Sequence, residues 1–148
     1  MPSRSQALRD LAFALCLLVL LLLFFWPVAA GQRTMLPTDV LLRIQPWKAH
    51  AQGAEAIIPH NALVTDLLLE NYVWKRFILE CVRQRELPLW NPYVLAGVPF
   101  LAAGQHSALY PFSVIFFLVP LPRAYGLFTI SQLLVAGLCM YFLARTLR

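Results

Sequence analysis

The chain has 148 residues, 60% of them hydrophobic and 13% charged, with a mean hydropathy of +0.67, whereas a soluble domain carries about 25% charged residues. Those figures exclude an ordinary soluble domain, and since a helix needs about 20 residues to cross a bilayer, the length allows about three spans and no large soluble domain beside them. Twelve Lys and Arg against seven Asp and Glu leave a net charge of +5, but the basic residues are scattered rather than striped, which argues against nucleic-acid binding.

The charges are unevenly placed. None lies between Asp10 and Arg33, between Glu86 and Arg123, or between Arg123 and Arg145. Residues 1–10 carry Arg4 and Arg9, and residues 11–30 form the first apolar run. Val28-Ala29-Ala30 resembles a small-residue cleavage site, yet the run is longer than the apolar core of a signal peptide, so an uncleaved first transmembrane helix is expected. A second run, residues 124–144, is closed by Arg145 and Arg148. Basic residues flank both runs on the ends facing the termini, which places residues 1–10 and 145–148 in the cytoplasm. Residues 31–123 then form an extracytoplasmic loop, and a long loop translocates largely regardless of its charge.

Within the loop, residues 66–86 lack Gly and Pro and are stopped by Leu87-Pro88, so a juxtamembrane helix is expected there. Leu67, Trp74, Ile78 and Cys81 share one stripe of the helical wheel, while Arg76, Glu80, Arg83 and Gln84 gather opposite, with Arg76 and Glu80 spaced to pair. Such a helix suits the headgroup region, or packs on a protein partner. Residues 107–122 contain a ten-residue apolar stretch fenced by Pro111, Pro120 and Pro122. At about 15 Å it covers half of the hydrocarbon core, so it reads as re-entrant or interfacial, with a short third span as the rival. The prolines and glycines of residues 87–122 forbid one long helix, and Trp90, Tyr93 and Tyr110 among them favour the lipid–water boundary.

The candidate chemistry is sparse. Asp66 opens the juxtamembrane helix and Glu70 follows one turn later; Asp66 either caps the helix or acts as a general base, and with Glu70 or His60 could hold a divalent cation. Lys75, Arg76, Arg83 and Arg85 either form a solvated face or bind a lipid phosphate. His50, His60 and His106 are each isolated, which favours structural hydrogen bonding. Cys16 and Cys139 lie in apolar runs and Cys81 stands alone, so no zinc site or disulfide framework is encoded.

The order of these features resembles a known family. Asn61-Ala62-Leu63-Val64-Thr65-Asp66, Glu70, Trp74, Glu86-Leu87-Pro88-Leu89-Trp90-Asn91-Pro92, Gly97-Val98-Pro99, Gln105, Tyr110-Pro111 and Ala144-Arg145 resemble the N-terminal part of YfhO-like bacterial membrane proteins, which are similar to the GT-C class of polytopic glycosyltransferases. The resemblance implies an all-α integral, multi-pass protein of the bacterial cytoplasmic membrane, acting at its outer face on a sugar linked to a polyprenyl phosphate. It implies that Asp66 is catalytic and that Glu70, Lys75, Arg76, Trp90, Asn91, Gln105 and His106 contact substrate, with a divalent metal left open. Glu70 and Val73 depart from the Gln and the Pro-Trp of the family. Since GT-C enzymes have many more membrane helices, the resemblance further implies an N-terminal portion, inactive alone. Its partners would be membrane lipids, the donor, and the remaining helices or a separate polytopic protein. The rival reading is a non-enzymatic membrane subunit whose external loop binds a partner or lipid.

Overall fold

The computed structural model describes residues 4–50 and 61–147; Glu55 and His60 lie outside the described residues. Unbroken Leu, Ala and Phe after a basic start wind α1, Arg4–Phe24. Its 21 residues cover about 31 Å, the thickness of the hydrocarbon core. Pro27 sits in the first turn of the short α2, Trp26–Ala29, where its missing N–H costs nothing. A 3-10 turn at Thr38–Arg43 and the single-turn α3, Trp47–His50, follow.

From residue 61 the chain forms a 3-10 turn, Ala62–Val64, then a π-helical turn, Leu67–Asn71, then α4, Tyr72–Arg83. Two short antiparallel strands come next, β1 (Trp90–Asn91) and β2 (Val98–Pro99), with Trp90 opposite Pro99 and Asn91 opposite Val98. They are followed by α5 (Phe100–Ala103), a 3-10 turn at Pro111–Val114, α6 (Ile115–Leu118) and α7 (Leu121–Thr146). Among the described residues two helices, α1 and α7, are long and apolar enough to cross a membrane, and their apolar windows are 0% and 6% buried. That exposure separates them from the core helices of a soluble protein, whose apolar surface is covered.

The two long helices run antiparallel. Leu17 of α1 meets Gly137 of α7, Val28 meets Gly126, and Phe13 stacks on Tyr141 with ring centroids 4.1 Å apart. Glycine at these points lets the backbones approach, the usual means of helix association between apolar surfaces. At one end Asp10 accepts a 2.9 Å hydrogen bond from Tyr141 Oη and is ion-paired with Arg145. Both described chain ends therefore lie at the same end of the pair. At the other end a cap docks on α7 through the buried cluster Leu36, Leu68, Phe116, Leu121, Ala124 and Tyr125. Burying a large apolar side chain stabilises by about 1.5–3 kcal/mol, so this cluster joins the cap firmly to the second long helix.

Five expectations change. The first long helix is Arg4–Phe24 rather than residues 11–30: it takes in the basic start and stops before Phe25, after which α2 forms separately. The chain is mostly helical rather than all-α, because residues 90–91 and 98–99 pair as strands. The second span starts at Leu121, three residues earlier than the charge-free stretch, and takes in Arg123. Residues 107–122 hold no helix of membrane length: Pro111 opens and Pro120 follows a short run made of a four-residue 3-10 turn and the four-residue α6. The juxtamembrane helix ends at Arg83 rather than Glu86: Arg85 turns left-handed at φ 60, donating to Val82 O while Glu86 donates to Cys81 O, a Schellman closure.

Candidate functional site

The expected cap role of Asp66 is not realised. Asn61 starts the helical segment instead, its Oδ1 accepting from the Leu63 N–H at 3.0 Å, so by residue 66 the chain is already wound, at φ −62 and ψ −27. Asp66 makes no capping bond, and among the described residues neither its carboxylate nor that of Glu70 has a hydrogen-bond or ionic partner. Both side chains are exposed. Directly after Asp66 the helix widens into the π turn, closed by the Tyr72 N–H donating to Leu67 O, five residues back. Such turns are rare and concentrate at functional sites. Asn71 in this turn accepts a 2.8 Å hydrogen bond from Tyr125 Oη, which fastens the acidic segment to the N-terminal end of α7.

Lys75 does not belong to a solvated face. It is 3% exposed and lies one turn before Ile78 and two before Cys81, in the buried stripe of α4. Its ammonium donates to His106 O at 2.9 Å, Ser107 Oγ at 2.8 Å and Ser113 Oγ at 3.4 Å, and sits 4.5 Å from the centre of the Phe116 ring. Three acceptors and an aromatic face compensate the burial, but no carboxylate faces it among the described residues. Burial accordingly brings its pKa from about 10.5 down to about 8. Lys75, Asn71, Ser107, Tyr125 and Thr129 supply the polar lining of a cavity of about 210 Å³.

The Trp90, Asn91 and Gly97 block has a clear structural sense. Gly97, at φ +113, lies under the Trp90 indole, where any Cβ would collide with the ring. Asn91 is 1% exposed and accepts from the Tyr93 N–H at 3.0 Å, which fixes the loop between the strands. His106 is also buried: its Nδ1 accepts from the Ala108 N–H, so Nε2 carries the proton and donates to Phe100 O at 2.8 Å, while the ring stacks on Phe100 with centroids 4.2 Å apart. Trp74, Asn91, Gln105 and His106 line a second cavity of about 140 Å³.

Of the eight residues singled out in the sequence, the structure thus joins Asn91, Gln105 and His106 around one cavity and ties Lys75 to the His106 carbonyl. Trp90 is exposed, packed on Gly97 outside that cavity. Arg76 is exposed on α4; the expected Arg76–Glu80 pair does not form, because Glu80 accepts from Gln84 at 2.8 Å and lies 3.8 Å from Arg83. Asp66 and Glu70 line neither cavity. Asn71, Ser107, Ser113 and Tyr125 were not legible as site residues, since no spacing links them to Lys75. Among the described residues no group of three His, Cys, Asp or Glu side chains could hold a metal ion, so Asp66 and Glu70 lack a third ligand there. Comparison with protein-family models, curated proteins and solved structures finds no match to this chain.

Proposed function

We propose that the chain is an integral protein of the bacterial cytoplasmic membrane, serving as the N-terminal module of a GT-C-like glycosyltransferase that draws its sugar from a polyprenyl-phosphate-linked donor on the outer face. The observation that carries this reading is Asp66: an exposed carboxylate, released from capping, set beside a π turn that is anchored to the outer end of a membrane-length helix. In this reading Asp66 takes the proton of the acceptor hydroxyl as its oxygen attacks the anomeric carbon. The bond from that carbon to the phosphate oxygen breaks with its electron pair on the phosphate, which inverts the configuration. Further membrane helices, in the same protein or a polytopic partner, complete the donor pocket.

Asp66→Asn in the protein as the cell makes it, assayed for sugar transfer from a polyprenyl-phosphate-linked donor, is expected to lower turnover by about 10²–10⁴-fold. Unchanged turnover removes the base assignment. A non-enzymatic subunit is the second reading, favoured by the position of Asp66 outside both cavities; recovery of the chain in a stable complex whose activity ignores Asp66→Asn supports it.

A further inference from the structure

Between α4 and the segment leading into α7 runs an open groove of about 510 Å³. Leu79 and Val82 form one wall and residues 116–122 the other, while Arg76 and Arg83 supply its only charged lining. The two arginines are seven residues apart, hence on one face of α4 and about 10 Å apart along its axis. Arg76 has no hydrogen-bond or ionic partner among the described residues. Arg83 has only the exposed 3.8 Å contact with Glu80, a kind of pair that holds little energy. Leu121 and Pro122 are the first residues of α7, so the groove opens at the level where that helix would enter the bilayer.

We infer that this groove holds an anionic phospholipid of the surrounding leaflet, its phosphate on Arg76 and Arg83 and an acyl chain along residues 116–121. Guanidinium groups form charge-assisted, forked hydrogen bonds with phosphate oxygens, and the apolar wall removes hydrocarbon from water. A free phosphate ion would use only the first half of this surface; a phospholipid uses both. The bound lipid ties α4, and with it the Asp66 segment that leads into it, to the leaflet. The inference rests on the membrane placement proposed above and not on sugar transfer.

The test is lipid selectivity of the chain reconstituted in phosphatidylcholine vesicles, measured with spin-labelled phosphatidylglycerol against spin-labelled phosphatidylcholine. The parent protein should prefer the anionic lipid, and Arg76→Gln with Arg83→Gln should weaken that preference by about fivefold per guanidinium, about 25-fold together. Arg33→Gln with Arg85→Gln, an equal charge change outside the groove, should leave it intact, and millimolar glycerophosphate should not displace the lipid. Equal loss in both double variants, no loss in the first, or displacement by glycerophosphate would overturn the inference. Because no sugar donor enters the assay, its failure leaves the Asp66 test standing, and the reverse.

Discussion

The helix pair and the cap are held together by opposite means. Where α1 and α2 pack on α7, the contacts are apolar side chains against glycine and the Phe13–Tyr141 ring stack, with one polar clamp, Asp10 to Tyr141 and Arg145, at the end bearing both described chain ends. In the cap the centre is a buried cation surrounded by oxygens from a distant loop. The difference follows from the surroundings. Where lipid is as apolar as the side chains, burial gives no preference and close fit must decide; where water competes, an apolar cluster can bury a lysine if its hydrogens are all met. The cap is thus the region in which a polar substitution does most damage, and the helix pair the region in which a volume change does.

The largest effect is expected at Lys75. Lys75→Ala leaves a void and strips the donor from two serine hydroxyls and a carbonyl, so it should destabilise the cap by about 3 kcal/mol, read as a lower denaturation midpoint by tryptophan fluorescence in detergent micelles. Its titration has a definite sign. With a folded pKa of about 8 against an ordinary value near 10.5, the unfolded chain binds the extra proton between those values. Stability should therefore rise as pH goes from about 8 to 10.5, the cost of burying the charge being fully present below pH 8. Lys75→Met, compared with the parent across that range, should remove this rise; an identical pH profile would contradict the buried amine.

The packing of α1 and α2 on α7 should respond next. A Cβ on Gly126 would strike the γ1 methyl of Val28, a β-branched side chain with little freedom to turn away. Gly126→Leu is expected to cost about 2 kcal/mol by overpacking, seen as a lower midpoint for the whole chain with the Lys75 environment unchanged. The smallest effect is a gain. Arg85 closes α4 at φ 60, where glycine is free of the Cβ penalty, so Arg85→Gly should raise stability by about 1 kcal/mol.

The sequence made the two long helices legible because a charge-free run of membrane length is a signal of composition alone. The proline fence around residues 112–121 likewise foretold short, broken elements. What stayed hidden depended on contacts distant in the chain or on one residue of local winding. Ser107 and Ser113 lie 32 and 38 residues beyond Lys75, so nothing near that lysine in sequence announces its burial. Asp66 looked like a cap because the apolar run begins behind it; the helical segment in fact starts at Asn61 and widens at Leu67–Asn71. Trp90 and Gly97 stand in two neighbouring motifs of the sequence, but only their contact explains the spacing.

The proposed function requires the cap and both described chain ends to lie on opposite sides of one membrane. Single cysteines at Leu63, 92% exposed near Asp66, and at Leu147, 79% exposed beyond the end of α7, placed in a background lacking Cys16, Cys81 and Cys139, can be labelled in intact cells with a membrane-impermeant maleimide. The expected result is labelling of Leu63→Cys at once and of Leu147→Cys only after permeabilisation. Equal labelling of both positions before permeabilisation would contradict the two-span arrangement on which the proposed role of Asp66 rests.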